Sequence, residues 1–144
     1  MKKVFCTLLL LMMVTCSCFA SEVGRTFVKN EGIAESVVTS LANPNASYTA
    51  VSQNMTPRTK KGFTEKSLAE LRKYMAENFG KVEVPSLMTY NRHVGVDGRF
   101  NGVEDYAYLA RTAKGGFALF AVSFDSGEII AVGVSPANVK EAGK

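Results

Sequence analysis

Tryptophan is absent from this 144-residue chain, histidine occurs once and proline four times, and all three cysteines fall within the first eighteen residues. Each scarcity excludes something. One histidine, His93, with no cysteine beyond Cys18, leaves no ligand set for zinc, which needs several nitrogen or sulfur donors at local spacing. A domain without cysteine has no disulfide framework and no thiol chemistry. No nucleophile-elbow sequence accompanies the serines, and His93 is the one imidazole base on offer. Charge of one sign is also scarce. The net charge is +4, and losing Lys2 and Lys3 with a leader leaves fifteen basic residues against thirteen acidic, a net of +2. A nucleic-acid binder needs a concentrated basic face, so none is expected as partner. No metal and no cofactor is expected either. Asp97-Gly98 and Asp125-Ser126-Gly127-Glu128 are turn sequences before they are calcium sites.

What is present begins with a leader. Met1-Lys2-Lys3 is a positive start, Val4 to Val14 is almost continuously apolar, and Cys18-Phe19-Ala20 puts small residues three and one before Ser21. This is the pattern of a cleaved secretory signal at residues 1–20. The run is too short for a bilayer span of about twenty residues. The expectation is export, to the periplasm or outside the cell. The competing reading is lipidation at Cys16 or Cys18, which would tether the protein to a membrane. Met13-Val14-Thr15 and Thr15-Cys16-Ser17 lack the leucine and small residues that precede a lipidated cysteine.

Residues 21–144 suffice for one domain, with an ordered core expected over about 26–136. Thr26 to Leu41 reads as a helix, with Phe27, Ala34, Val37 and Leu41 on one side and Asn43-Pro44-Asn45 as its stop. Tyr48 to Met55 reads as a short helical or irregular piece, and Pro57 to Gly62 as a basic connector. A second helix is better specified. Thr64 is its cap and Glu65 favours its positive end; Phe63 and Leu68 form a hydrophobic staple. Leu68, Leu71, Met75 and Phe79 make its stripe, and Gly80 ends it.

Strands follow. Val82 to His93 is the first, bent at Pro85, and Gly95 to Gly102 is a turn-rich loop. Asp105–Thr112, Phe117–Phe124 and Glu128–Val134 then form an antiparallel meander, broken by Lys114-Gly115 and Asp125-Ser126-Gly127. A frayed tail is expected from Pro136. Helices gathered before strands imply an α+β fold, with N-terminal helices on one face of a curved four-stranded antiparallel sheet. The central strand is apolar on both faces, Phe117, Leu119 and Ala121 on one and Ala118, Phe120, Val122 and Phe124 on the other. One face meets the helices. The other is expected to form an interface, most simply a sheet-to-sheet homodimer.

The chain resembles the cystatin-like, nuclear-transport-factor-two-like α+β superfamily, and within it small exported bacterial domains of unknown function. The resemblance rests on Phe63-Thr64-Glu65 at a helix start, Phe79-Gly80 at its end, and the hairpin Val122-Ser123-Phe124-Asp125-Ser126-Gly127-Glu128-Ile129. It spans about Phe27 to Val134. These residues are structural punctuation, and the fold hosts enzymes, binding modules and assembly domains alike.

The function expected is therefore binding, of protein or of a small apolar ligand. One candidate place is the pocket between the second helix and the sheet, with Tyr74, Tyr90, Tyr106 and Tyr108 as contact residues, since each offers a ring with a polar tip. The other is the outer sheet face. An acid–base enzyme, isomerase or hydrolase, is the alternative, using His93 or Asp105, which flank one hairpin. In the ketosteroid isomerases tyrosine and acidic groups do such work on this scaffold, but their positions do not map residue by residue onto this chain. A third reading is an inhibitor or immunity-type partner protein. Arg58, Lys60, Lys61 and Lys66, with Arg72 and Lys73 beyond, make a modest basic cluster that reads first as a solvated face.

Overall fold

Residues 24–137 are described by a computed structural model. The expected leader, all three cysteines and the expected tail beyond Ala137 lie outside the described residues. Residues 24–42 are helical (α1). Ala34, Val37, Val38 and Leu41 recur at three- and four-residue intervals, and all four are buried. Past the helix end, the Asn43 side chain accepts the Asn45 N–H at 3.0 Å.

Helix α2 (Tyr48–Ser52) is capped by Ser47, whose hydroxyl accepts from the Ala50 N–H. The basic connector expected at residues 57–62 is instead a helix, α3 (Pro57–Gly62). Thr56 caps it by accepting the Thr59 N–H at 3.0 Å, and Pro57 stands in the first turn, where its missing N–H is no loss. Six residues with none buried leave no apolar stripe by which to recognise it.

Helix α4 (Glu65–Asn78) starts where its sequence says. Thr64 Oγ1 accepts the Ser67 N–H and Ser67 Oγ accepts the Thr64 N–H, a reciprocal capping box. Gly80 takes φ +66° beyond the C-terminus, and its N–H reaches the Met75 and Ala76 carbonyls. Leu68, Met75 and Phe79 are buried with Phe120 in one core, and Leu71 packs against it.

The sheet has the order β1-β2-β3-β4, all antiparallel: Ser86–Val94, Phe100–Arg111, Phe117–Asp125 and Glu128–Ala137. Three boundaries differ from expectation. β1 begins after Pro85, and Val82 makes a single bridge to Thr112. β2 begins at Phe100, so the loop shrinks to a turn closed by the Gly95 N–H on the Arg99 carbonyl at 2.8 Å. β4 continues through Pro136, opposite Ala118, which an edge strand tolerates. Part of that edge is covered, because Met55 bridges Ile129. The β3–β4 turn is a two-residue hairpin with positive φ at Ser126 and Gly127.

Side-chain parity divides the sheet. Glu104, Tyr106, Tyr108 and Ala110 of β2 and Ala118, Phe120, Val122 and Phe124 of β3 are buried toward the helices. Asp105, Ala107, Leu109 and Arg111, with Phe117, Leu119, Ala121 and Ser123, take the opposite face.

Candidate functional site

Two constellations stand out, one on each face of the sheet. On the helix side, Glu104 is a carboxylate only 1% exposed. Its parity on β2 sends it inward, beside Tyr106. Its oxygens collect donors from three elements: Asn30 Nδ2 of α1 at 2.7 Å, the Tyr90 hydroxyl of β1 at 2.8 Å and the Tyr106 hydroxyl at 3.4 Å. Arg92 brings Nε to 3.2 Å of Oε1. That Nε is also a buried nitrogen with no hydrogen-bond partner. The distance makes an ion pair, but the N–H is off line, so charge is countered without a hydrogen bond. The Arg92 guanidinium lies over the Phe100 ring at 3.8 Å.

The phenols around this carboxylate are held neutral. Burial, then the hydrogen bond to Glu104 and its charge, pushes Tyr90 up to about 12. Burial and the Glu104 charge push Tyr106 higher still; burial, then Glu31 and Glu35, raises Tyr108. Tyr108 donates to the Glu31 carbonyl at 3.2 Å. Phe27 meets Tyr90 edge-on and stacks on Tyr106, so α1 is tied to the sheet by rings as well as hydrogen bonds. A cleft of about 190 Å³ opens beside Glu104, between the start of α1, the first residues of β2 at Phe100 and Gly102, and the turn at Ser126-Gly127.

On the outer face, His93 and Asp105 do meet, Nε2 to Oδ2 at 2.5 Å. Both are open to water, at 47% and 38% side-chain exposure. Burial of the Asp105 carboxyl works against its charge, but hydrogen bonds from Ser123 and His93, with the His93 charge, outweigh it and hold the group below the usual carboxylate range. The three residues have the aspartate in the middle. Nucleophilic catalysis needs the histidine between serine and carboxylate, and Ser123 is not so placed. The middle of this face is apolar and partly exposed, with Ala107, Leu109, Phe117, Leu119 and Ala121, while Thr89 and Asn91 of β1 and Ser135 of β4 flank it.

The four tyrosines do not form one group. Tyr90, Tyr106 and Tyr108 point inward in contact with α1, whereas Tyr74 sits 38% exposed on α4, edge-on to Phe79 at 5.7 Å. The basic cluster disperses too. Lys66 and Lys73 make i,i+4 pairs with Glu70 and Glu77, and Arg72 turns inward onto backbone carbonyls. Sequence reading missed Glu104, Asn30 and Arg92. The available signal was parity, since Glu104 shares its face with Tyr106 and Tyr108. Among the described residues no group of three or more histidine, cysteine, aspartate or glutamate side chains is arranged to hold a metal ion, and no helix is long and apolar enough to cross a membrane. No family model, curated protein or solved structure matches the chain.

Proposed function

We propose that this chain is an exported interaction domain of the cystatin-like α+β kind, which binds protein through the outer face of its sheet, first of all a second copy of itself. The observation that carries the reading is the self-complementarity of that face. Consider a two-fold axis crossing the strands at Tyr108 and Phe120, which pair in register. Each strand then lies antiparallel over its own copy, and Leu109 falls over the partner's Ala107, and Leu119 over the partner's Ala121. Large meets small in both pairs, as interdigitated sheets require. At the ends, Arg111 and its neighbour Phe117 lie over Asp105 and its neighbour Ser123. Asp105 and Arg111 are six residues apart, about 20 Å along the strand, so two isologous ion pairs would frame the apolar centre.

Burial of Leu68, Met75, Phe79 and Phe120 in one core, with Tyr74 turned toward solvent, favours this face over a pocket between α4 and the sheet. It is also preferred to an acid–base enzyme, whose His93 or Asp105 would need an enclosed apolar site. Light scattering on the mature protein tests the reading. The expected mass is that of a dimer at micromolar concentration, with Leu119→Glu reducing it to a monomer whose circular dichroism is unchanged. A wild-type monomer at high micromolar concentration would remove the support.

A further inference from the structure

The outer edge of β4 carries main-chain groups that the domain itself does not use. Ile129 faces that edge, because its carbonyl accepts the Thr56 N–H at 3.2 Å and its N–H donates to the Asn54 carbonyl at 2.9 Å. The bulge at Ile130 then resets the alternation. Ala131, Gly133 and Ser135 bond β3, and Val132 and Val134 turn their N–H and C=O outward. Neither residue finds a partner for those groups among the described residues. This open lane is bounded at both ends. Residues 54–56 fill it at the start of β4 before the chain leaves into α3, and Pro136 has no N–H to offer. A cleft of about 600 Å³ opens along the lane, between β4 and α3, with Met55, Phe63 and Val132 as its apolar lining. Arg58 lines it beside Thr56, exposed and in no ion pair among the described residues. Asp125, the acidic residue on the lining, has its Oδ1 on the Ser126 hydroxyl at 2.9 Å.

We propose that this edge binds the free C-terminal peptide of a partner protein, added antiparallel to β4, with its terminal carboxylate on Arg58. Strand addition of this kind takes its affinity from main-chain hydrogen bonds and its specificity from alternate side chains. An antiparallel segment exchanges both bonds with Val132 and both again with Val134, so three residues of peptide satisfy the whole open length. The lane is closed at Thr56, so a chain running that way has to end there. Antiparallel addition brings the carboxyl end to that point, where a guanidinium can hold it through two parallel N–H bonds. A parallel tail would bring its ammonium to Arg58 instead and be repelled. Parity sets the side chains. Val132 and Val134 face the core, so the last residue of the peptide enters the cleft against Met55 and Phe63 and should be apolar. The residue before it lies opposite Gly133, where nothing stands within 4 Å of a Cβ, so a large ring fits there.

Fluorescence anisotropy on the mature protein decides the matter, using labelled pentapeptides that differ in their last residue, each as free acid and as C-terminal amide. Peptides ending in valine, leucine or phenylalanine should bind, and their amides should bind about tenfold more weakly or worse, having lost the charge. Arg58→Ala, on a helix with no buried residue, should weaken the acids about tenfold and leave the amides unchanged. Val134→Pro removes an N–H that faces the open edge and should abolish binding of both. Should that variant fail to fold, hydrogen exchange on the wild type replaces it: the Val132 and Val134 amides should exchange at least about tenfold more slowly under saturating peptide. The proposal is overturned by a panel in which nothing binds at millimolar concentration, by amides that bind equally, by an unchanged affinity in Arg58→Ala, or by saturation that leaves both amides unprotected. Edge-to-edge pairing of two copies, the rival occupant, would protect both amides without peptide and release them on dilution, and would overturn it too. A monomeric protein would not bear on it, because strand addition uses the edge of β4 and not the outer face.

Discussion

Arg72→Ala should be among the most damaging substitutions on the surface of this protein. Arg72 projects from α4, and its Nη2 donates to the carbonyls of Ser40, Asn43 and Ala46 at 3.1, 3.0 and 2.8 Å. These are the groups left without helical partners where α1 ends and the chain turns toward α2. One Nη2 carries two hydrogens, so three acceptors share about two bonds. Hydrogen bonds from a charged donor contribute about 1.5–3 kcal/mol each. Part of that is offset, because Arg72 Nε is buried without a partner, and water can reach the freed carbonyls at Asn43. A net loss of about 2–3 kcal/mol is expected. For a domain of this size each kcal/mol moves the melting temperature by about 4 °C, so the shift should be about 8–12 °C downward. Urea unfolding should show a lower midpoint with an unchanged slope. Arg72→Lys should recover less than half, since one ammonium cannot match the planar fork. A loss below about 0.5 kcal/mol would refute the claim that Arg72 ties α4 to the end of α1.

Two further outcomes follow from the site and the helix start. Tyr90, Tyr106 and Tyr108 all have folded-state values above the unfolded one of about 10, so their contribution to stability is complete below pH 10 and is lost as pH rises through the folded values. Tyrosinate absorbance should therefore include a late fraction, beginning near pH 12 and coinciding with loss of circular dichroism; ionisation of all five tyrosines near pH 10 in a still-folded protein would contradict the buried network. Thr64→Ala should cost about 1 kcal/mol, because the Ser67 N–H loses its acceptor, and Thr64→Ser should recover nearly all of it.

The legible parts of the fold are those whose causes are local. The start of α4 is written in Thr64, Glu65 and the Phe63–Leu68 pair, and its end in Gly80; the Ser67 half of the capping box was not read from the sequence. The two faces of β3 are written in strict alternation from Phe117 to Phe124, and the inward set is the one with Phe120 and Phe124. What stayed hidden depends on distant partners. Residues 100–102 have the glycine and polar content of a loop, yet Phe100 pairs with Val94 of β1, and Glu104 just beyond them pairs with Arg92 of β1 and Phe124 of β3. Ending the loop at Gly102 and starting the strand at Asp105 left Glu104 outside the sheet, and with it the observation that a carboxylate faces the core. Asn30 is a polar residue near the start of an amphipathic helix until Glu104 is placed 2.7 Å away. His93 and Asp105 were correctly brought together as hairpin neighbours, but parity puts Asp105 opposite Tyr106, on the outer face rather than in a cavity.

The central claim is that the outer face is complementary to its own copy. A charge exchange tests it most directly, through molar masses by light scattering at matched concentrations. Asp105→Arg alone and Arg111→Asp alone should each set like charges against each other across the two-fold axis and yield monomers. The double variant should restore the dimer, because each pair is then rebuilt with its signs reversed. A double variant as monomeric as the single ones, or single variants as dimeric as the wild type, would contradict the account.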